Sequence, residues 1–137
     1  MARILALDYG SKRTGIAVSD PLRIIANPLE TVSSDQLIPF LTSYCAKENV
    51  DTIVIGVPTD LFNRETHGTK GAQLIMEKIK KLFPSLSIVK ADERFTSKIA
   101  FDSMLSSGIS KKKRTNKELV DKLSATIILQ SFMAQTT

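Results

Sequence analysis

Two apolar runs, residues 4–7 and 16–18, flank a short polar stretch that holds Asp8, Gly10, Lys12, Arg13 and Gly15. The first run has no polar position, the pattern of a strand covered on both faces. Gly10 and Gly15 bracket the turn, where positive φ or close backbone approach is needed. The pair reads as two short strands joined by a tight, basic turn. Asp8 then sits at the lip of a central strand, where a side chain can leave the core and face a cleft. Lys12 and Arg13 beside it suit a negatively charged ligand.

Further along, Pro21 breaks the run, and residues 23–26 and 29–32, split by Asn27 and Pro28, predict a third strand with a bulge or an edge position. Ser33, Ser34 and Asp35 offer N-caps for a helix to about Asn49, with Leu37, Leu41 and Tyr44 on one face and Pro39 in the first turn. Residues 52–57 repeat the buried-strand pattern and Pro58 ends it. Residues 59–70 are polar, include Asn63, Arg64, Glu65 and His67, and read as an irregular surface loop. Ala72, Ile75, Ile79 and Leu82 mark an amphipathic helix closed by Phe83 and Pro84. Residues 86–91 predict another strand, which runs straight into Asp92, Glu93 and Arg94. Thr96 or Ser97 caps a short helix that stops at Gly108. A basic loop follows, and Thr115 with Glu118 forms a capping box that opens a last helix to about Met133.

Strands that alternate with helices imply parallel pairing with helices on both faces, and the leading hairpin implies an antiparallel part. The expectation is one α/β domain over residues 1–137, with a mixed sheet and neither repeats nor linkers. Composition agrees: 42% hydrophobic and 24% charged residues are average for a globular chain. No apolar run approaches the roughly 20 residues of a membrane span, and the start of the chain lacks the pattern of a signal peptide. The single Cys45 cannot form an internal disulfide, which points to the cytoplasm. It falls in register with Leu37, Ile38 and Leu41 and reads as a small buried hydrophobe rather than a nucleophile.

Net charge adds a partner class. The chain carries +5 at pH 7, with a pI near 9.4. Residues 111–122 hold six basic side chains (Lys111, Lys112, Lys113, Arg114, Lys117 and Lys122) against Glu118 and Asp121, and so account for most of that excess. Such a window is either a solvated loop or a phosphate grip.

Carboxylates supply the chemistry. Asp8 ends the first strand, and Asp92 and Glu93 end the last. Ligands of open α/β sheets bind beyond the carboxyl ends of parallel strands. Asp121 lies on the stripe Asp121, Ala125, Ile128, Phe132, otherwise apolar and expected to face the sheet. A carboxylate there is costly unless it is paired or binds a metal. Each acid also has a plainer role: Asp8 in the turn, Asp92 as a helix cap, Glu93 beside Arg94, Asp121 beside Lys117 or Lys122. Together they converge on one sheet edge, and no His or Cys cluster competes. An all-carboxylate site suits a hard cation, Mg²⁺ or Mn²⁺.

The block from Leu7 to Asp20 (Leu-Asp-Tyr-Gly-Ser-Lys-Arg-Thr-Gly-Ile-Ala-Val-Ser-Asp), then Gly56-Val57-Pro58, then Asp92-Glu93-Arg94-Phe95-Thr96-Ser97, then Lys117, Asp121, Ser124 and Ala125 resemble the signature of the YqgF (RuvX) family. The match spans nearly the whole chain. The resemblance implies an RNase H-like fold, similar to Holliday junction resolvases of the RuvC type. It implies a cytoplasmic, metal-dependent nuclease that matures the precursor of small-subunit ribosomal RNA, or else a resolvase of branched DNA. It makes Asp8, Glu93 and Asp121 the metal-binding acids and Arg13 and Arg94 phosphate or structural arginines. Thr96 and Ser97 become supporting hydroxyls, and Gly10, Gly15 and Asp92 support the site as well. Lys12 and residues Lys111, Lys112, Lys113 and Arg114 grip the backbone. Many members carry an Asp-Gly loop after Gly-x-Pro; residues 59–68 differ, and no role is carried over to them. His67 reads as a loop residue rather than a base.

Two rival readings remain at this stage. Asp-x-Gly-Ser-Lys also resembles the first phosphate loop of the actin, hexokinase and Hsp70 superfamily, which makes a nucleotide binder. A ribosome-assembly factor that binds RNA without cutting it is the other. A junction resolvase cuts two symmetric strands and should act as a dimer, whereas an RNA-trimming enzyme can be monomeric, so the chain is expected as a monomer or weak homodimer.

Overall fold

A computed structural model of the chain describes residues 2–10, 12–57, 67–92 and 117–135. Strands β1 (Arg3–Tyr9), β2 (Arg13–Ser19) and β3 (Ala26–Ser33) come first, followed by a single 3₁₀ turn (Ser34–Gln36) and helix α1 (Leu37–Lys47). Then come β4 (Val50–Val57), α2 (His67–Leu82), β5 (Ser87–Asp92) and α3 (Lys117–Gln135). The five strands form one sheet in the order β3-β2-β1-β4-β5. β1, β2 and β3 pair antiparallel, whereas β4 pairs parallel to both β1 and β5. β1 is the central strand, as its unbroken apolar run requires.

Side chains alternate across the sheet and sort into two cores. Leu5, Leu7, Ile16, Val18, Ile53 and Ile55 meet Leu37 and Leu41 of α1 and Ala72, Met76 and Ile79 of α2. Ile4, Ala6, Ala17 and Val54 meet Ala125, Ile128, Leu129 and Met133 of α3. Burying one such Leu or Ile contributes about 1.5–3 kcal/mol. Ala6, Ala17 and Ala125 make the α3 side the smaller of the two, where the opposite side carries mostly leucine and isoleucine. α3 packs chiefly on β2, β3 and β1.

Several expectations shift. Residues 23–25 do not join β3. They form a turn in which Arg23 takes a φ of 58° and the Asp20 carboxylate accepts the Ile24 and Ile25 N–H groups at 2.7 and 2.8 Å. β3 is both an edge strand and bulged: Ile16 pairs with Glu30 but Ala17 pairs with Pro28, leaving Leu29 over. Proline, lacking an N–H, fits an edge.

Ser33, Ser34 and Asp35 do not cap α1 with their side chains. Ser34 instead donates its hydroxyl to the Gly10 carbonyl and its N–H to the Lys12 carbonyl at 2.9 Å. That ties the end of β3 to the first turn. Helix α2 begins at His67, so residues 67–70 are helical rather than loop; a polar first turn carries no apolar period to betray it. The expected short helix to Gly108, the basic loop and Thr115 lie outside the described residues. Cys45 is half-buried against the α1–α2 core, and burial pushes its thiol pKa up, in line with an inert packing role.

Candidate active site at the carboxyl end of the central strand

Asp8 stands in a row that crosses the sheet. Its register partners are Gly15 on β2 and Gly56 on β4. Gly15 pairs with Thr31, and Gly56 pairs with Ala91 of β5. Both neighbours of the carboxylate therefore lack side chains, although both glycines are buried. A glycine inside a strand marks close approach by something else. Alternation also settles the face: Asp8 continues Ile4 and Ala6, which belong to the core covered by α3.

The direction of α3 follows from its far end. Gln130, Met133 and Ala134 line a cavity of about 400 Å³ with residues 23–26, at the start of β3. That is also where Ser19 meets the start of β1, through Ile4 N–H to Ser19 Oγ at 2.9 Å. α3 therefore runs antiparallel to β1, and its first turns lie toward the Asp8 end. From Ala6 to Asp8 the strand climbs about 6.6 Å. From Ala125 back to Asp121 the helix climbs about 6 Å in the same direction. Asp121 is thus placed in α3, one turn beyond the buried Ala125, toward the edge where Asp8 stands.

Asp92 ends β5 as the partner of Val57. It is out of phase with Asp8 by one residue. Glu93 follows it in sequence, two positions after Ala91; with Arg94, Thr96, Ser97, Lys111, Lys112, Lys113 and Arg114 it lies outside the described residues. Among the described residues no three His, Cys, Asp or Glu side chains come together.

The turn that carries the basic pair is tightly built. A Cβ on Gly10 would lie 2.6 Å from the Arg13 carbonyl oxygen, a distance no side chain tolerates. Thr14 Oγ1 lies 3.0 Å from Ser34 Oγ, so two strands pin the same loop. Arg13 is half-buried and begins β2 two residues before Gly15, which gives it the phase of Asp8; Lys12 is exposed at the turn. The edge thus joins a carboxylate flanked by glycines and an arginine in the same phase, residue types that suit a metal ion and a phosphate.

Two residues of the family signature take on a role only in the structure. Gly56-Val57-Pro58 gives no reason for a glycine at its head, and the register beside Asp8 supplies one. Ser124 is 1% exposed, and its hydroxyl has no hydrogen-bond partner among the described residues. Ser124 stands in the family signature, but its neighbours in the chain do not foretell that burial.

A family model described as "RuvX: Holliday junction resolvase" matches residues 2–135. A protein of Bacteroides thetaiotaomicron named "Putative pre-16S rRNA nuclease" is 50% identical over 133 residues, covering 97% of this chain and 96% of its own. Relatives of the same name from Amoebophilus asiaticus and Flavobacterium psychrophilum are 48% and 47% identical, with 95% and 98% of their lengths covered. Among solved structures, Thermus thermophilus RuvC in complex with a Holliday junction substrate superposes with a TM-score of 0.53 at 15% identity, covering 99% of this chain and 96% of that one. At that identity the likeness speaks for the fold: the mixed five-stranded sheet is RNase H-like.

Proposed function

The chain belongs to the RuvX family, and on that footing we propose that it is a cytoplasmic, metal-dependent nuclease that processes structured RNA, with the 16S ribosomal RNA precursor as its substrate. The observation that carries the reading is the placement of Asp8. It ends the central strand between two glycines, on the face covered by the helix that contains Asp121. The name that the relatives share supplies the substrate class.

Asp8, Glu93 and Asp121 form the ligand set. Three carboxylates without histidine or cysteine fit Mg²⁺ or Mn²⁺, and the glycines on both sides of Asp8 set no side chain beside the carboxylate. When bound, such an ion activates a water and stabilises the charge on the leaving oxygen. The rest falls to the chain's own residues. Asp8 orients the scissile phosphate by holding its counter-charge at the strand end. Lys12 and Arg13 offset the charge of the flanking phosphates, and Arg94 with Lys111, Lys112, Lys113 and Arg114 extends that grip. Thr96 and Ser97 support the site with hydroxyl groups. Contacts to the backbone give affinity without sequence preference.

A second reading, cleavage of four-way DNA junctions, is favoured by the family description and by the RuvC likeness. It needs two sites related by symmetry, hence a dimer. The test is incubation of the pure protein with Mn²⁺ and either a ribosomal RNA precursor or a four-way junction, beside Asp8→Asn and an EDTA control. Cleavage of RNA alone is expected, with a loss of more than about 100-fold in Asp8→Asn, beyond what an outer-shell partner costs. Binding with no cut by the wild type identifies an assembly factor instead.

A further inference from the structure

On the face opposite the acids, a groove of about 190 Å³ opens where β1 ends. It is lined by Tyr9, Gly71, Leu74, Ile75 and Lys78. Tyr9 follows Asp8 directly, so the carboxylate and the ring leave the same strand end to opposite faces, with backbone positions about 3.8 Å apart. Two details show that the groove is not an accident of packing. A Cβ on Gly71 would lie 3.2 Å from Tyr9 Cε1 and 3.4 Å from its hydroxyl, so the glycine is what lets α2 seat against the ring. Leu74 is 68% exposed, although α2 buries Ala72, Met76 and Ile79 on its core side. Its apolar surface serves no core. Lys78 stands one helical turn further on, and among the described residues no carboxylate lines the groove.

We propose that this groove receives one unpaired nucleobase of the nucleic-acid substrate, from the nucleotide next to the phosphate held at Asp8, with Lys78 meeting that nucleotide's phosphate. The inference rests on the nuclease reading and extends it. An aromatic wall, an aliphatic wall and one cation form the surface that single-stranded nucleic acid uses, and it is tolerant of sequence because every base has a π-face. The volume falls below the about 300–1,000 Å³ of sites for drug-sized ligands and suits a single ring system. A strand that crosses the sheet edge at Asp8 passes from the α3 face to the α2 face and places its flanking base over Tyr9. The enzyme then demands an unpaired nucleotide beside its cut.

The probe is a single-stranded RNA oligonucleotide carrying one 2-aminopurine, tested with wild type, Leu74→Ser, Lys78→Gln and Tyr9→Leu. Leu74 and Lys78 are exposed, so those two variants keep the fold, and Tyr9→Leu keeps an apolar packing side chain. Wild type should bind the oligonucleotide and quench its 2-aminopurine strongly. Each variant should lose that quench and bind on the order of tenfold more weakly, as expected for removal of one stacked base or its phosphate partner. For RNA cleavage, KM should rise by a similar factor in Leu74→Ser while kcat stays within twofold. Wild-type binding and quenching in Leu74→Ser and Lys78→Gln, alongside an inactive Asp8→Asn, overturns the groove and leaves the nuclease reading intact. Absence of both cleavage and binding in the wild type overturns both. A change of Leu74→Ser from dimer to monomer with RNA binding untouched assigns the groove to a second copy of the chain and also overturns the inference.

Discussion

Asp8 and Gly56 are register partners on β1 and β4, and the carboxylate has no side chain beside it on that strand. With Gly15 as its partner on β2, the acid has a buried glycine on either side. Gly56→Val puts a branched side chain into that buried position. Cleavage should fall about 10–100-fold, the scale of a small misplacement at a reacting centre, and urea denaturation should show an overpacking cost of about 1–3 kcal/mol. Unchanged turnover in a folded variant removes the argument that Asp8 needs glycine beside it.

Gly10→Ala drives a methyl group onto the Arg13 carbonyl oxygen, which is backbone and cannot swing aside. A cost of about 2 kcal/mol is expected, within the range for overpacking. Urea denaturation reads it as a lower midpoint at constant slope. Because the same turn presents Lys12 and Arg13, RNA affinity should weaken in parallel. A variant as stable as wild type shows that the turn relaxes freely.

Ser124→Ala should stabilise the protein. The serine hydroxyl is buried without a partner among the described residues, and alanine is the better helix former. Removing an unsatisfied polar group gains about 1 kcal/mol, or about 4 °C in Tm for a domain of this size. Calorimetry of the two proteins decides it, and a lower Tm in the variant means that the hydroxyl has a bonded partner after all.

Hydrogen bonds from the backbone N–H groups, Ile25 first and Ile24 with it, hold the Asp20 carboxyl below its ordinary value of 3.8. A carboxylate depressed in the folded state lends stability that is present above its unfolded pKa and is lost as pH falls through the folded value. Asp20→Asn should therefore be less stable than wild type at neutral pH, and the gap should close as the pH drops below 3.8. Thermal melts across that range check it. A gap independent of pH assigns the effect to geometry rather than charge.

The parts of the fold that could be read directly from the chain have a period. Residues 4–7 are apolar throughout, as are 53–55, and they lie in the interior strands β1 and β4, because only a strand covered on both faces tolerates such a run. Ala125 and Ile128 are spaced for a helix face and are buried as that spacing requires. What was missed lacks a period. The first turn of α2 is polar, so His67 passed for loop. Ser34 looked like a cap because serine caps helices, yet its hydroxyl found the Gly10 carbonyl across the sheet. A local rule cannot see a partner 24 residues away.

By itself the sequence determined the kinds of element, the acid at the end of the first strand and the family, since each is written in neighbouring residues. Only the tertiary structure decided which face Asp8 shares, and with what. Strand order and the direction of α3 place Asp121's helix turn toward the Asp8 end of β1 and set Tyr9 against Gly71 on the far side. Those relations depend on contacts between segments far apart in the chain, which pack only once the hydrophobic faces have found each other.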